Sequence, residues 1–456
     1  MYSTDKDRPS ENGHKMLLGA ILFLALLLRF GVVYVQGPEL LLNSDDRGYV
    51  QSAAKWLTTG TMTFYSDSPS AFIGPVYPAF LAVIFSAFGS GEEGLQAVRY
   101  VQALLGVLIV LLTYLLAQRV TEPRTALLAA FLMSFYPPNI LINGLFLTET
   151  LFTALNLAYM LLLVKLSHDE QLSEKGETFL FGLLGAFTAL LALTRATSAL
   201  YPAVFTVYLL WRRKLPLQRW LRNGLVLFMA FSIFMSPWWI RNYVQFDRFI
   251  PFSTGAGDPL LLGTYIDMEG IVDGVGPDWP TGNGELDLQE KYKQYAIERL
   301  KENVPKEPWR YLKWYTVGKF LLMWGGPFMW PSLWDNLRPW VDYYHQYLML
   351  FAFGGAALAL WRWWNRRKEL EGMGGGLYQD QVPRDRWGAG GQFSGPLLLL
   401  SIPTYYSILH NLYFGFGRYN IPFMPLVLLF ASYFIVEVYD VLMGVRKGDY
   451  AKGILR

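Results

Sequence analysis

Ten long apolar runs divide the chain into candidate membrane-spanning helices. A helix rises about 1.5 Å per residue and therefore needs about 20 mostly apolar residues to cross the hydrocarbon core. The segments that meet or approach this length lie at residues 16–35, 95–117, 124–141, 146–165, 178–194, 197–211, 223–240, 344–362, 394–413 and 418–438. The apolar run at 76–88 is too short to cross, so it predicts an interfacial or re-entrant helix.

Basic residues cluster in alternate connections between these runs, which predicts the orientation of the chain. Lys6, Arg8 and Lys15 precede the first run, and no small-residue cleavage site follows it, so this run is predicted to remain as an anchor. Placing the N-terminus in the cytoplasm also places there the basic stretches at 119–124, 165–175, 212–222, 362–386 and 446–456. This agreement with the positive-inside rule predicts that both termini are cytoplasmic.

The same orientation divides the chain into three parts. Residues 1–241 are predicted to form an N-terminal transmembrane catalytic module that includes a first external loop, 36–94. Residues 242–343 form a long external loop with juxtamembrane helices, and residues 344–456 form C-terminal transmembrane helices with a cytoplasmic loop at 364–393.

Within the long external loop, a Gly-, Pro- and Asp-rich stretch at 270–284 predicts turns, and a charged stretch at 287–302 predicts a solvated helix. Residues 311–329 are apolar enough to span, but a surface helix agrees better with the basic loops. The predicted interfacial anchors of this helix are Trp324, Trp330, Trp334 and Trp340.

The composition supports a polytopic membrane protein and excludes several chemistries. Hydrophobic residues make up 53% of the 456 and charged residues 16%, whereas soluble proteins carry about a quarter charged residues. A net charge of +3 without a basic patch argues against nucleic acid as a partner. The absence of cysteine removes disulfides, thiolate nucleophiles and iron–sulfur clusters, and four histidines argue against a multi-histidine metal centre.

Several polar residues lie at the predicted outer ends of the apolar runs. They are Asp45, Asp46, Glu149, Arg195, Arg241, His410, Asn411 and Arg418. Charged groups at the rim of membrane segments are costly and usually functional. Their shared depth predicts a cavity, open to the outside, that contains carboxylates and arginines.

Most of these residues also have a structural interpretation. Asp45 or Asp46 can cap a helix at 48–57, because Asp is a favoured N-cap. Arg195 can extend to the membrane surface from a helix end. Glu149 is harder to explain in this way, since apolar residues flank it and an unpaired carboxylate there is costly.

The residue types at this rim suit the transfer of a group from a lipid-linked phosphate. A carboxylate can remove a proton from an incoming hydroxyl or amine. Arginines offer a permanent charge and a fixed fork of donors, which stabilise a departing phosphate. The sequence contains no glycine-rich phosphate loop and no Ser-His-Asp arrangement, so a donor carried by a lipid is favoured over one carried by a nucleotide.

Six short motifs follow one another along the chain. They are SDDRGY at 44–49 with Ala53, Leu57 and Gly60, GPVYPAFLA at 74–82, LTETL at 147–151, LTR at 193–195, PWWIRN at 237–242 and RYNIPFMP at 418–425. Their order and spacing resemble the GT-C superfamily of polyprenyl-phosphate-sugar-dependent glycosyltransferases. Within it, they resemble the bacterial branch of glycosyltransferase family 39, which is similar to dolichyl-phosphate-mannose–protein mannosyltransferases.

The resemblance implies roles for individual residues. Asp45, or its neighbour Asp46, is the implied general base, and Glu149 orients the acceptor or binds a metal beside the base. The implied contacts of the donor phosphate are Arg195, Arg241 and Arg418. Further candidate substrate-binding residues in or near the motifs are Tyr49, Tyr77, His410 and Tyr419. No cofactor is required, although Asp45 and Glu149 can hold a divalent metal.

The resemblance further implies an all-α GT-C-like bundle of about ten to twelve transmembrane helices with external juxtamembrane helices. The implied activity is an inverting transfer of a hexose or pentose from a polyprenyl-phosphate donor to a lipid, glycan or protein acceptor. The reaction is expected at the external face of a bacterial plasma membrane, with membrane lipid as the other partner.

Two alternatives remain open. One is a transporter or flippase of lipid-linked sugars, although such folds usually show internal repeats and midplane polar groups that this sequence lacks. The other is a polymerase or ligase that uses a diphosphate-linked donor.

Overall fold

The computed structural model describes residues 11–168, 172–212, 216–272, 274–329, 332–372 and 395–444. These residues form helices and connecting turns and contain no β-strand. The helices, in chain order, are α1 Glu11–Gln36, α2 Asp45–Thr59, α3 Val76–Phe88, α4 Glu92–Val120, α5 Pro123–Phe135, α6 Pro137–Leu141, α7 Glu149–His168, α8 Glu174–Thr194, α9 Tyr201–Arg212, α10 Leu217–Phe246, α11 Gly257–Leu262, α12 Glu285–Asn303, α13 Pro308–Lys313, α14 Lys319–Trp324, α15 Arg338–Gly372, α16 Gly395–Leu412 and α17 Met424–Leu442. The predicted all-α class is confirmed.

Six helical stretches of the described residues are long and apolar enough to cross a membrane, which makes this a multi-pass membrane protein. Five of them correspond to α1, α4, α7, α8 and α10, and the sixth combines a short 3₁₀ turn, Gly417–Phe423, with α17. The predicted spans at 197–211, 344–362 and 394–413 are helical as α9, α15 and α16, but they are shorter or less apolar than the six. The 13-residue helix α3 matches the short apolar run predicted at 76–88.

The span predicted at 124–141 is a bent pair and not one straight helix. α5 and α6 meet at an angle of 62°. Pro137 and Pro138 lack the amide hydrogens that would bond to the carbonyls of Met133 and Ser134, so the helix breaks there. Arg29 of α1, which is fully buried, donates to both carbonyls, at 3.3 and 3.2 Å. The arginine therefore satisfies the carbonyl groups that the two prolines leave free.

Glycines allow two helix pairs of the bundle to pack closely. A Cβ at Gly185 of α8 would lie 2.2 Å from the carbonyl oxygen of Leu227 in α10, and one at Gly355 of α15 would lie 2.0 Å from that of Phe430 in α17. Any side chain at these positions would push the backbones apart. The same helices bury a continuous apolar core that extends through α4, α5 and α7.

The two predicted external segments contain further helices. α2 and α3 lie in the first segment, and α11 to α14 lie in the second. The predicted helix at 287–302 is confirmed as α12. Residues 308–324 are helical throughout: a π-helical turn at Trp314–Gly318 joins α13 to α14.

One predicted anchor in this helix was wrong. Trp324 is 7% exposed, and its indole N–H donates to Ser407 Oγ at 3.0 Å, so it packs inside the bundle. Trp340 is exposed. Trp330 and the side chain of Trp334 lie outside the described residues. The start of the loop predicted at 364–393 is helical, because α15 continues to Gly372, and residues 373–394 also lie outside the described residues.

Candidate active site

Asp45 is the first residue of α2, where the helix dipole favours a negative charge. Its Oδ1 accepts a hydrogen bond from the Tyr65 hydroxyl at 2.6 Å, and its Oδ2 accepts one from Arg418 Nη2 at 2.7 Å. The side chain is 32% exposed. Asp45 is thus a partly accessible carboxylate that faces a fixed cation.

Asp46, the adjacent residue, has a different environment. It is 1% exposed, and its two oxygens accept backbone N–H groups from the preceding loop: Leu42 at 2.8 Å, Asn43 at 3.4 Å and Ser44 at 2.8 Å. The carboxylate of Asp46 therefore holds the loop that leads into α2, and its hydrogen-bonding capacity is used by backbone groups.

Glu149 is the first residue of α7 and is almost fully buried. Its Oε1 pairs with Arg195 Nη2 and lies 3.0 Å from Arg418 Nε. Its Oε2 is buried without a hydrogen-bond partner. The apolar neighbours of Glu149 made an unpaired carboxylate costly at this position. In the structure, the carboxylate is paired with two arginines from distant parts of the chain.

Arg195 lies at the break after α8, and each of its three guanidinium nitrogens donates one hydrogen bond. Nε donates to Thr148 Oγ1 at 2.9 Å, Nη1 to the Tyr406 hydroxyl at 3.2 Å and Nη2 to Glu149. The backbone leaves the helix at Arg195, with φ −144° and ψ 113°, which turns the side chain toward α7. Its side chain is 13% exposed.

Arg418 connects the two carboxylates. It lies in the 3₁₀ turn before α17, and the buried side chain of Asn420 anchors that turn by donating to Met323 O at 2.8 Å. Arg418 pairs with Asp45 on one side and Glu149 on the other. We refer to Asp45, Glu149, Arg195 and Arg418 as the carboxylate–arginine cluster.

Aromatic residues form one side of this cluster. Tyr419 lies against both cations, with its ring centroid 5.6 Å from Arg195 and 5.8 Å from Arg418. His410 packs on the rings of Tyr406 and Tyr419, at 4.3 and 4.5 Å, and its Nδ1 bonds to Phe414 O. The Nε2 of His410 is buried and has no partner. Both predicted residues, His410 and Tyr419, therefore lie beside the cluster.

The protonation state of Asp45 follows from its partners. Burial alone would raise its pKa, but the charge of Arg418 and the hydrogen bonds from Tyr65 and Arg418 outweigh burial, so the pKa lies below its usual value. In contrast, burial and the charge of Asp45 raise the pKa of Tyr65. At neutral pH, Asp45 is an ionised acceptor and Tyr65 a neutral donor.

Three other predicted substrate-binding residues contact neighbouring elements of the fold. Arg241 donates to Met62 O at 3.2 Å and Asn242 Oδ1 at 2.9 Å, so it ties α10 to the first external segment. Tyr77 is fully buried, and its hydroxyl donates to Gln102 Oε1 at 2.9 Å. Tyr49 packs edge-on against Tyr77, with ring centroids 5.0 Å apart. Tyr49 also lies close enough to the cluster for the charges of Asp45, Glu149, Arg195 and Arg418 to act on its hydroxyl.

Comparison with known proteins adds a family-model match to part of the chain and the fold of the whole. Residues 67–240 match the family model described as dolichyl-phosphate-mannose-protein mannosyltransferase. The structure is similar to the apo oligosaccharyltransferase of Archaeoglobus fulgidus, with a TM-score of 0.58 and 14% identity, covering 98% of this chain and 53% of that chain. It is also similar to the A. fulgidus oligosaccharyltransferase AglB in complex with an inhibitory peptide and a dolichol-phosphate, with a TM-score of 0.57 and 13% identity, covering 97% and 52%. The chain has the GT-C fold.

The GT-C chain spans about half the length of these two structures. ArnT from Cupriavidus metallidurans, bound to undecaprenyl phosphate, matches with a TM-score of 0.44 and 14% identity, covering 94% of this chain and 78% of that chain. No curated protein matches by sequence. The resemblance to the GT-C superfamily and its protein-mannosyltransferase branch, inferred from the six motifs, is confirmed.

The side chains around Asp45 and Glu149 in this GT-C fold do not fit a metal ion. The guanidinium of Arg418 lies between the two carboxylates, and Arg195 adds a second fixed positive charge. Within the described ranges, no three His, Cys, Asp or Glu side chains form a group able to hold a metal. A divalent metal at Asp45 and Glu149 would have to displace Arg418, and this site stays a prediction.

Sequence reasoning missed two residues near Asp45. Tyr65 adopts the left-handed backbone conformation, with φ 56°, which costs a bulky residue about 1–3 kcal/mol and is common at functional sites. Asp258 lies in the first turn of α11, in the second external segment. Burial together with the charge of Asp45 raises its pKa to about 6. Neither position carries a local signal, since both come close to Asp45 only when the external segments fold together.

Proposed function

We propose that the chain is a membrane glycosyltransferase that moves a sugar from a polyprenyl-phosphate donor to a hydroxyl or amine acceptor. The observation that supports this function is the carboxylate–arginine cluster, which combines a partly exposed base with two fixed cations. The reaction takes place at the external face of a bacterial plasma membrane, and both termini are cytoplasmic. This orientation rests on the distribution of basic loops.

In the proposed reaction, Asp45 accepts the proton of the acceptor while the acceptor oxygen or nitrogen bonds to the anomeric carbon. The bond between that carbon and the phosphate oxygen breaks, and polyprenyl phosphate leaves with the electron pair. Arg195 and Arg418 stabilise the charge that develops on the phosphate. A single displacement inverts the anomeric configuration, since Asp45 acts as a base and Glu149, the other carboxylate of the cluster, is too buried to act as a nucleophile.

Arg418 links the two halves of this reaction. In the structure it neutralises Asp45, which makes Asp45 a weak base. A phosphate that binds near Arg418 competes for the same guanidinium, so the pKa of Asp45 rises when the donor is present. The base is therefore strongest when the leaving group is in place.

The role proposed for Glu149 differs from the one that the motif resemblance implied. Its carboxylate lies beneath two guanidinium groups and is only 1% exposed. This position supports a role in holding Arg195 and Arg418 in a fixed orientation. Direct contact with the acceptor would require the arginines to move apart.

The solved relatives support a lipid-phosphate donor. AglB of A. fulgidus has been solved in complex with a dolichol-phosphate, and a related structure holds a tethered acceptor peptide. From these two structures we extend to the present chain only the class of donor, a lipid phosphate, and not the peptide acceptor.

Purified protein in lipid nanodiscs, incubated with a panel of polyprenyl-phosphate sugars and acceptors, tests this function. We expect release of polyprenyl phosphate together with a glycosyl product of inverted anomeric configuration. Preference for a diphosphate-linked donor would indicate a polymerase or ligase. Movement of labelled sugar-lipid across proteoliposomes without any glycosyl product would refute the proposal in favour of a flippase.

A further inference from the structure

An open cleft of about 570 Å³ lies between the two external segments. One side is lined by residues 283–289 at the start of α12, and Gln245 and Phe246 of α10 lie between the two sides. The other side is lined by Phe64, Tyr65, Ser66, Ser68, Pro69 and Phe72. Small-ligand sites typically measure about 300–1,000 Å³. The cleft is lined by none of the four residues of the carboxylate–arginine cluster, so it is a separate feature of the fold.

Glu285 fixes the two sides of this cleft relative to one another. Its carboxylate accepts hydrogen bonds from the hydroxyls of Ser70 and Thr254 and from the backbone N–H of Ala71 at 3.0 Å. One side chain of the second external segment thus holds the loop of the first. A cleft built in this way exists before a ligand binds, which lowers the cost of binding.

Tyr65 connects the cleft to Asp45. Its ring is 59% exposed, lines the cleft and packs on the Phe64 ring with centroids 4.2 Å apart. Its hydroxyl donates to Asp45 Oδ1 at 2.6 Å. The backbone of Tyr65 is strained, with φ 56°, as is common for residues at functional sites.

The lining indicates the chemistry of the occupant. It combines the ring of Tyr65 with short polar side chains, including Ser66, Ser68 and Asn283, and its described members include no Lys or Arg. Of its two carboxylates, Glu285 is engaged in loop contacts and Asp287 pairs with Lys291 at 2.8 Å. An anionic ligand would find no cation there, whereas sugars combine apolar faces with hydroxyls that match rings and polar side chains.

We propose that this cleft binds the acceptor, that the acceptor presents a neutral oligosaccharide, and that Tyr65 guides its reacting hydroxyl to Asp45. The use of the bound sugar as an acceptor rests on the glycosyl transfer proposed above. Binding of the sugar does not, so the two proposals can be tested separately.

Binding is measured first, by saturation-transfer NMR on the full chain in nanodiscs with mannotetraose and maltotetraose. We expect at least one of them to bind. Asn283→Trp, which fills the cleft from an exposed loop position, and Tyr65→Ala, which removes the ring, should each weaken binding about tenfold or more. Tyr65→Phe keeps the ring and should bind within about threefold of the wild type while kcat falls.

Tyr243→Ala is the matched control, because Tyr243 is also 59% exposed but lies on α10 outside the cleft. It should bind the tetrasaccharide as the wild type does. Absence of binding to both tetrasaccharides, or unchanged binding in Asn283→Trp, overturns the proposal. Stronger binding of a phosphorylated disaccharide or a hydrophilic peptide at the cleft overturns the neutral-sugar class.

Donor turnover, followed as release of polyprenyl phosphate, separates this proposal from the proposed function. Donor turnover without oligosaccharide binding would refute the cleft proposal and would remain consistent with the proposed glycosyltransferase. Cleft-dependent oligosaccharide binding without any donor turnover supports the cleft as a sugar site and refutes the transferase.

Discussion

Two neighbouring aspartates with different contacts provide the sharpest test of the candidate site. Asp45 faces Arg418 and Tyr65 and is 32% exposed, while Asp46 is buried and accepts three backbone N–H groups. We expect Asp45→Asn to stop transfer without unfolding the protein, and Asp46→Asn to weaken the fold first.

The magnitudes follow from these contacts. Loss of a general base typically lowers kcat about 10²–10⁴-fold, whereas loss of a partly exposed ion pair costs about 1 kcal/mol of stability or less. In Asp46→Asn, the new NH₂ group must face backbone N–H groups that had an oxygen partner. Leaving one of them unpaired in the interior costs about 1–3 kcal/mol.

The assay compares the rate of sugar transfer with the apparent unfolding temperature, measured at one scan rate for all variants. Asp67→Asn is the matched control, because Asp67 belongs to the same external segment, its side chain is 96% exposed and it pairs only with Lys55 on the surface. It should change neither quantity. Transfer that survives both Asp45→Asn and Asp46→Asn, or that is lost in Asp46→Asn at an unchanged unfolding temperature, would refute the reasoning.

Three further predictions concern the groups around Asp45. Arg195→Lys should lower kcat about 10²-fold, because a lysine cannot replace three directed donors, while Arg241→Lys should keep most of the activity; equal losses in steady-state kinetics would contradict the cluster. Because the pKa of Asp258 is raised from 3.8 to about 6, its contribution to stability is present below pH 4 and is lost as the pH rises through 6. Asp258→Asn should therefore raise the unfolding temperature at pH 8 but not at pH 4, and an identical shift at both values would argue against this burial. Finally, since Arg418 occupies the space between Asp45 and Glu149, EDTA should leave the transfer rate unchanged, and a loss that Mn²⁺ restores would show that a metal is required.

The arrangement of the helical spans was largely predictable, because it depends on local properties of the chain. A run of apolar residues partitions into a membrane whatever lies elsewhere in the sequence, and most predicted spans coincide with helices of the structure. The break after Thr194 was also predictable from the position of Arg195 between two apolar runs. The 62° bend was missed, although Pro137 and Pro138 are a local signal for it. Only the structure shows that Arg29, about a hundred residues away in the sequence, bonds to the carbonyls that the prolines leave free.

The sequence by itself determined the residue types at the site: an acid after the first span, another at the start of α7 and arginines at two helix ends. Tertiary structure alone decided which of them meet. Asp45 and Arg418 are 373 residues apart and in contact, whereas Arg241, equally plausible in sequence, bonds to a backbone carbonyl elsewhere. Tertiary structure also directs the carboxylate of Asp46 to backbone N–H groups and brings the hydroxyl of Tyr65 to Asp45. Hydropathy is a property of each segment, but an ion pair forms only where folding brings two charges within a few ångströms, and no segment encodes that distance.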